Sequence, residues 1–332
     1  MTQDAPNPDN RKSRARRRVL LGLVVAIVVV AALIANTFWI DSQTRAAAPR
    51  DGGTIVETGF EPANVKVEGQ GPPILLIHGY GGALDWWDDI APALAARHRV
   101  IRLDLIGHGG TAAPTSGYQI ARQAELVSAV LDKLGINRVT VVGHSMGGWV
   151  ATALASRKPE RIDRLILIDS PPTVDLHLSI LAKAHVAPVL GEVLSHFLTD
   201  DRLREGLADA FAPGFPIPER FVADLKRLPH CVFRQEHVEG FAYCKKPIYE
   251  RLAELKPVPP VLSIFGSLDS KMSAEQAKLY KRVPGAMAVT IDGVGHSPQV
   301  ETPARTVKLI EDFLVPGLPA ANDASNRPLP KT

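Results

Sequence analysis

Cysteine is nearly missing from this chain: of 332 residues, only Cys231 and Cys244 are cysteine. Two thiols that far apart make no C-x-x-C pattern, so cysteine supplies neither a zinc site nor a dithiol redox centre. An excess of one charge is missing too. The formal net charge is +3, and residues 1–18 hold six Lys/Arg against Asp4 and Asp9, which leaves the rest of the chain at −1. A body so balanced carries no nucleic-acid footprint. Internal repeats are absent, and low-complexity sequence is confined to residues 316–332, a Pro/Asn-rich tail that needs no structure. What the chain does have is apolar sequence, 45% hydrophobic against 22% charged, which excludes a disordered or collagen-like protein and implies a real core.

One apolar run stands apart. From Val19 to Ala35 no polar residue interrupts the sequence, and Phe38-Trp39-Ile40 extends it. As a helix, residues 19–40 would be about 33 Å long, enough to cross a hydrocarbon core of about 30 Å. The basic head, residues 1–18, precedes it, so the positive-inside rule places that head in the cytoplasm and the body outside, with Trp39 as an interfacial anchor. The competing reading is a secretory signal cleaved at the A-x-A-like Ala46-Ala47-Ala48, although the apolar run is longer than the usual 7–15 residues of such a signal. Both readings export the body. Residues 41–53 read as a polar linker.

Beyond the linker, short β-branched runs alternate with helical patterns. Ile74–Ile77, Val100–Leu103, Val139–Val142, Leu165–Ile168, Val261–Phe265 and Ala286–Ile291 read as strands, and residues 54–68 as an antiparallel hairpin at the sheet edge. Helices are expected at about 84–97, 119–134, 146–157, 272–282 and 302–314. This alternation predicts an α/β fold with a mostly parallel sheet covered on both faces. The alternation stops after Ser170, and residues 171–256 are expected to form a mostly helical insertion between the two parts of the core, 54–170 and 257–315.

Val139–Val142 runs into Gly143-His144-Ser145-Met146-Gly147 and then a helix. A sharp strand-to-helix turn of this G-x-S-x-G type projects the Ser hydroxyl and aims the next N–H at developing negative charge. Ser145 is therefore the candidate nucleophile and the Met146 N–H a candidate oxyanion donor. A second donor has to come from the turn Gly79-Tyr80-Gly81-Gly82 after an earlier strand, from Tyr80 or alternatively Gly81. Serine needs a base, and the base an orienting acid. His296 follows the last strand and Asp269 the one before it, both at strand ends on the edge that carries Ser145. Asp169, which also ends a strand, is the alternative acid. His78, His108 and His144 read as structural or loop-shaping.

Taken together, His78-Gly79, Asp104-Leu105-Ile106-Gly107-His108-Gly109, Gly143–Gly148, Asp269 and Gly295-His296-Ser297-Pro298 resemble the α/β-hydrolase fold superfamily, in its branch with a lid after strand six. The resemblance covers about residues 54–315. It implies an eight-stranded sheet, a Ser145-Asp269-His296 triad, a lid at 171–256 and no metal or organic cofactor. The activity implied is that of a membrane-anchored serine hydrolase, a carboxylesterase on small or medium acyl esters. A carbon–carbon bond hydrolase, an acyltransferase, a lipase-like enzyme and a catalytically silent binding protein are the alternatives.

Two further expectations concern the insertion. The apolar run Leu176–Leu198 is expected to line an acyl pocket, with helix packing inside the lid as the other reading. Cys231 and Cys244, 13 positions apart in an exported segment, are expected to form a disulfide, with two buried thiols as the alternative. Such a loop would stabilise the domain by about 3 kcal/mol and pin the stretch from Pro229 to Pro247.

Overall fold

The computed structural model of the chain describes residues 8–174 and 180–315. The expected tail, 316–332, and residues 176–179 of the apolar run lie outside the described residues.

Eight strands form one sheet: β1 (Thr54–Val56), β2 (Ala63–Glu68), β3 (Pro73–Ile77), β4 (Arg99–Leu103), β5 (Val139–His144), β6 (Ile162–Ile168), β7 (Val261–Gly266) and β8 (Met287–Ile291). Their order is β1-β2-β4-β3-β5-β6-β7-β8. β1 and β2 are the antiparallel edge, β2 meets β4 antiparallel, and every later pairing is parallel. The helices are α1 (Pro8–Asp41), α2 (Ala91–Ala95), α3 (Ile120–Lys133), α4 (Met146–Arg157), α5 (Ile180–Val186), α6 (Pro188–Ser195), α7 (Asp200–Leu207), α8 (Glu219–Arg227), α9 (His230–Cys244), α10 (Ile248–Ala253), α11 (Ala274–Ala277), α12 (Pro298–Glu301) and α13 (Pro303–Leu314).

Side chains alternate along a strand, so the central strands bury both faces. Leu75, Ile77, Val141, Leu165 and Leu167 join the cluster that includes Val127 and Val130 of α3 and Leu154 of α4. Leu76, Val142, Ile166, Ile168 and Ile264 face the other way, toward Trp87, Leu94 and Ile310. The registers align the C-terminal strand ends: Ile77 pairs with Leu103 and Gly143, His144 with Ile168, and Ile168 with Ile264. Whatever follows β3, β5, β6, β7 and β8 is thereby gathered on one edge.

One expected helix is broken by proline. The stretch 84–97 is a 3-10 turn at Leu84–Trp87 followed by α2, because Pro92 fits only the first turn of a new helix. The helix expected at 302–314 is α13, which Pro303 starts. The linker is also more than a spacer. Arg45 forms an antiparallel bridge with Ala113, and its guanidinium donates to Gly107 O and Thr111 O at 3.0 and 3.1 Å. Arg50 reaches Asp224 of α8 at 3.0 Å.

Between β6 and β7 the insertion divides in two. Cys231, Val232 and Cys244 of α9 and Ile248 and Leu252 of α10 belong to the main core. Leu203 and Leu207 of α7 and Phe221 and Val222 of α8 form a separate cluster with Trp86 and Val300. The disulfide expectation fails. Cys231 and Cys244 stand near opposite ends of the continuous helix α9, and 13 residues of helix separate them by about 20 Å, against the limit of about 7 Å for a bridge. Both are buried thiols, as the alternative reading had it. Pro229 and Pro247 do not bound a pinned loop. They are the N-caps of α9 and α10.

Candidate active site

Ser145 sits at the turn between β5 and α4 with φ 51° and ψ −121°, a left-handed conformation rare for a residue with a Cβ. The turn closes only because its neighbours lack side chains. A Cβ at Gly143 would come within 2.5 Å of Gly147 O, and one at Gly147 within 2.3 Å of Ile77 O. The Ser145 N–H donates to Ile168 O at 2.9 Å, which ties the strained residue to the end of β6.

Three of the residues singled out from sequence meet here. Ser145 Oγ lies 3.0 Å from His296 Nε2, and His296 Nδ1 lies 2.7 Å from Asp269 Oδ2. Asp269 Oδ1 accepts from the N–H groups of Lys271 and Met272 at 2.8 and 3.2 Å. Burial opposes ionisation of Asp269, but bonding to His296, its charge and a donor from Asp169 outweigh it and hold Asp269 below the usual carboxylate range. Asp169, the alternative acid, ends β6 behind Asp269 and accepts from Gly266 N–H at 3.1 Å. Its burial, then the charge of Asp269, push it well above the usual range. Two buried carboxyl groups in contact share one proton, and here Asp169 carries it. The partner of His296 is Asp269.

The two expected N–H donors lie on adjoining turns. Gly82 N–H donates to Gly79 O at 3.1 Å, closing a turn in which Gly81 has a φ of +71°. A Cβ at Gly79 would be 3.1 Å from Ser145 Cβ, so this turn lies against the serine. Among the described residues, neither the Met146 N–H nor those of Tyr80 and Gly81 meet an acceptor. Tyr80 and Gly81 thus stay alternatives for the second donor.

The histidines read as loop-shaping are braces. His78 donates from Nδ1 to Gly79 O at 2.8 Å and accepts from Leu105 N–H at Nε2, fixing the turn from behind. Burial, then His108, keep it neutral. His144 donates to His296 O at 2.8 Å, and burial followed by His296 pushes it down to about 3. Burial works against a charge on His108, but Glu236 of α9 at 3.2 Å raises its pKa above the ordinary value.

Ser145 and His296 open onto an apolar cavity of about 660 Å³. Its wall includes Trp86, Leu203, Leu207, Leu225 and Phe233, and most of it comes from the segment between β6 and β7. From the expected run Leu176–Leu198, only His185, Gly191, Ser195 and Leu198 reach it among the described residues. Sequence reading also missed Asp224, which accepts from Trp86 Nε1 at 3.1 Å and from Arg50, because nothing in the periodicity of α8 marks an inward carboxylate.

Among the described residues, two groupings of acidic and histidine side chains have the spacing of a cation site. Asp169, Asp269 and His296 are committed to one another, and at Asp51, Asp85 and Asp224 the guanidinium of Arg50 already supplies the positive charge.

Residues 72–239 match the family model of the alpha/beta hydrolase fold. The chain belongs to that family. Among the relatives of this hydrolase is a pimeloyl-[acyl-carrier protein] methyl ester esterase of Aeromonas hydrophila, 30% identical over 76% of this chain and 99% of the other. Another is a 2-hydroxymuconate semialdehyde hydrolase of Pseudomonas putida, 28% identical over 80% of this chain and 95% of the other. A solved membrane phospholipase A described as a bacterial virulence factor shares the fold, with TM-score 0.60 and 24% identity over 90% of this chain and 98% of the other.

Proposed function

We propose that this alpha/beta hydrolase is a membrane-anchored serine esterase acting on small or medium acyl esters. The observation that carries the reading is the hydrogen-bonded chain from Ser145 Oγ through His296 to Asp269, opening onto an apolar cavity. Ser145 Oγ attacks the ester carbonyl while His296 Nε2 takes its proton, and Asp269 holds the imidazole tautomer and steadies the imidazolium. The negative charge that develops on the carbonyl oxygen meets the N–H groups of Met146 and of Tyr80 or Gly81. Collapse breaks the ester C–O bond, and His296 returns its proton to the leaving alcohol. Water, deprotonated by His296, then releases the acid and restores Ser145. The helices after β6 serve as the lid, because the segment between β6 and β7 supplies most of the cavity wall.

The esterase among its relatives supports the ester reading, and the semialdehyde hydrolase supports cleavage of a carbon–carbon bond by the same three residues. Covalent labelling of Ser145 by a fluorophosphonate, followed by rates on acyl esters of graded chain length and on 2-hydroxymuconate semialdehyde, separates them. Ester turnover that is lost in Ser145→Ala supports the proposal. Turnover of the semialdehyde alone supports the second reading, and absence of labelling a silent binding protein.

The helical stretch Arg16–Ile40, with mean hydropathy 2.9, is long and apolar enough to cross a membrane. Cleavage after Ala48 would remove Arg45 and the Ala48 N–H that donates to Gly110 O, both built into the body, which favours an uncleaved anchor with the body outside the cytoplasm. Retention in the membrane after alkaline carbonate extraction, with the body open to added protease, is the expected result. A soluble form beginning near Pro49 would show cleavage instead.

A further inference from the structure

The short helix α6 performs three tasks at once. Between Arg16 and Ile40 every residue of α1 is exposed except Leu33, Thr37 and Ile40. Those positions share one helix face, and α6 packs against α1. Thr37 is 5% exposed, and its hydroxyl donates within the helix to Leu33 O at 3.0 Å, so the contact leaves it no unmet polar group. The depth of this contact follows from helix geometry. Counted from Arg18, a hydrocarbon thickness of about 30 Å uses about twenty residues and ends near Phe38. Leu33 to Ile40 therefore cross the outer boundary of the bilayer, and α6, packed beside them, lies at the same level.

At that level the chain turns apolar side chains outward. Leu190 on α6 is 51% exposed, and Phe197 and Leu198 just beyond it are 72% and 36% exposed. Gly191, Ser195 and Leu198 also line the cavity that holds Ser145. The exposed members of that lining are Leu198, Arg202, Glu205, Gly206 and Lys271, so the cavity opens beside the end of α6 and the start of α7. Arg202, on this exposed rim, has no ion-pair partner among the described residues.

We infer that Leu190, Phe197 and Leu198 form an edge that dips into the outer leaflet, so that the acyl chain of a membrane amphiphile passes from the bilayer into the cavity without crossing water. The inference rests on the membrane-anchored esterase reading and names the substrate's source: an acyl ester that resides in the bilayer. The occupant of the exposed apolar edge is the bilayer that holds α1, because the edge continues from the apolar helix itself.

The full chain, reconstituted in phosphatidylcholine vesicles, tests this in two steps. Cys231 and Cys244 are each 5% exposed, so Phe197→Cys presents one accessible thiol for an environment-sensitive fluorophore, with Lys308→Cys on α13 as a distant control. The label at 197 is expected to be quenched by lipids carrying a nitroxide near the headgroup, and the label at 308 is not. Equal quenching, or none at either position, overturns the proposal. This readout needs no turnover, and flotation of the unaltered chain with the vesicles reports the anchor separately. In the second step Phe197→Glu should lower the rate on a vesicle-embedded long-chain ester about tenfold, the equivalent of one large apolar contact, with the rate on a water-soluble acetate ester unchanged. Equal effects on both substrates would overturn it. Quenching of the label on Phe197→Cys, together with an unaltered chain that hydrolyses neither ester, defeats the esterase reading and leaves the membrane edge standing.

Discussion

The strand-end edge around Ser145 and the outer part of the insertion are built in opposite ways. At the strand ends, His78, Asp169, Asp269 and His296 are each tied to a neighbouring backbone or side chain, and all are buried. On α6 and the turn after it, the apolar side chains of Leu190 and Phe197 face outward. Between these extremes, α9 lies in the insertion by chain order but in the body by packing, through Val232 and the pair of His108 with Glu236. The difference teaches that position in the sequence does not define which part of the insertion stands apart from the core. Burial does. Changes at the strand ends should cost rate by orders of magnitude, changes in α9 should cost stability, and changes in α6 and α7 should alter only preference.

The largest effect should come from Ser145→Ala or His296→Ala, each losing on the order of 10⁶ in kcat on an acyl ester with the fold retained by circular dichroism. The paired carboxyls should then separate. Asp269→Asn should lose roughly 10⁴, because the imidazole tautomer is lost. Asp169→Asn exchanges one neutral donor for another and should lose far less. A dead Asp169→Asn beside a near-normal Asp269→Asn would reverse the assignment.

Next in size is α9. Glu236→Leu strips His108 of its buried partner and should destabilise the body by about 3–5 kcal/mol in urea unfolding, with chain-length preference unchanged. A loss under about 1 kcal/mol would place α9 with the outer part of the insertion.

A pH experiment sharpens the boundary between body and insertion at Asp85, which faces Asp224 of α8. Burial, then Asp224, push Asp85 up to about 8. A carboxyl raised in this way binds its proton more tightly folded than unfolded, so its contribution falls as pH rises from the ordinary value toward 8. Asp85→Asn should therefore gain melting temperature over wild type progressively between about pH 4 and 8, with the gain levelling off above. A gain independent of pH would show that Asp85 is ionised throughout. The smallest effect belongs to the cavity wall. Leu203→Ala should shift the preferred acyl chain by a few carbons, with the rate on the best ester changed by about tenfold or less.

Much of this was legible before any fold was drawn. Ser145 announced itself because a tight turn must exclude side chains at positions 143 and 147, and that demand is written as glycine. His296 and Asp269 were legible because each follows a β-branched run, and a parallel sheet brings such ends together. Between Asp269 and Asp169 the sequence supports only a preference for Asp269: both follow strands, and the 2.7 Å contact with His296 is what separates them. Cys231 and Cys244 were misread because their spacing suits a loop, and only the helix between them sets them apart.

The sequence alone thus determined the order of elements, the apolar helix and the residues of the strand-end edge, since propensity, periodicity and turn sterics act over a few neighbouring residues. Tertiary structure alone decided which carboxyl carries the proton, which part of the insertion belongs to the core, and that α6 rests against α1. Those outcomes depend on contacts between residues far apart in the chain, where burial and neighbouring charge are set by packing that no local pattern encodes.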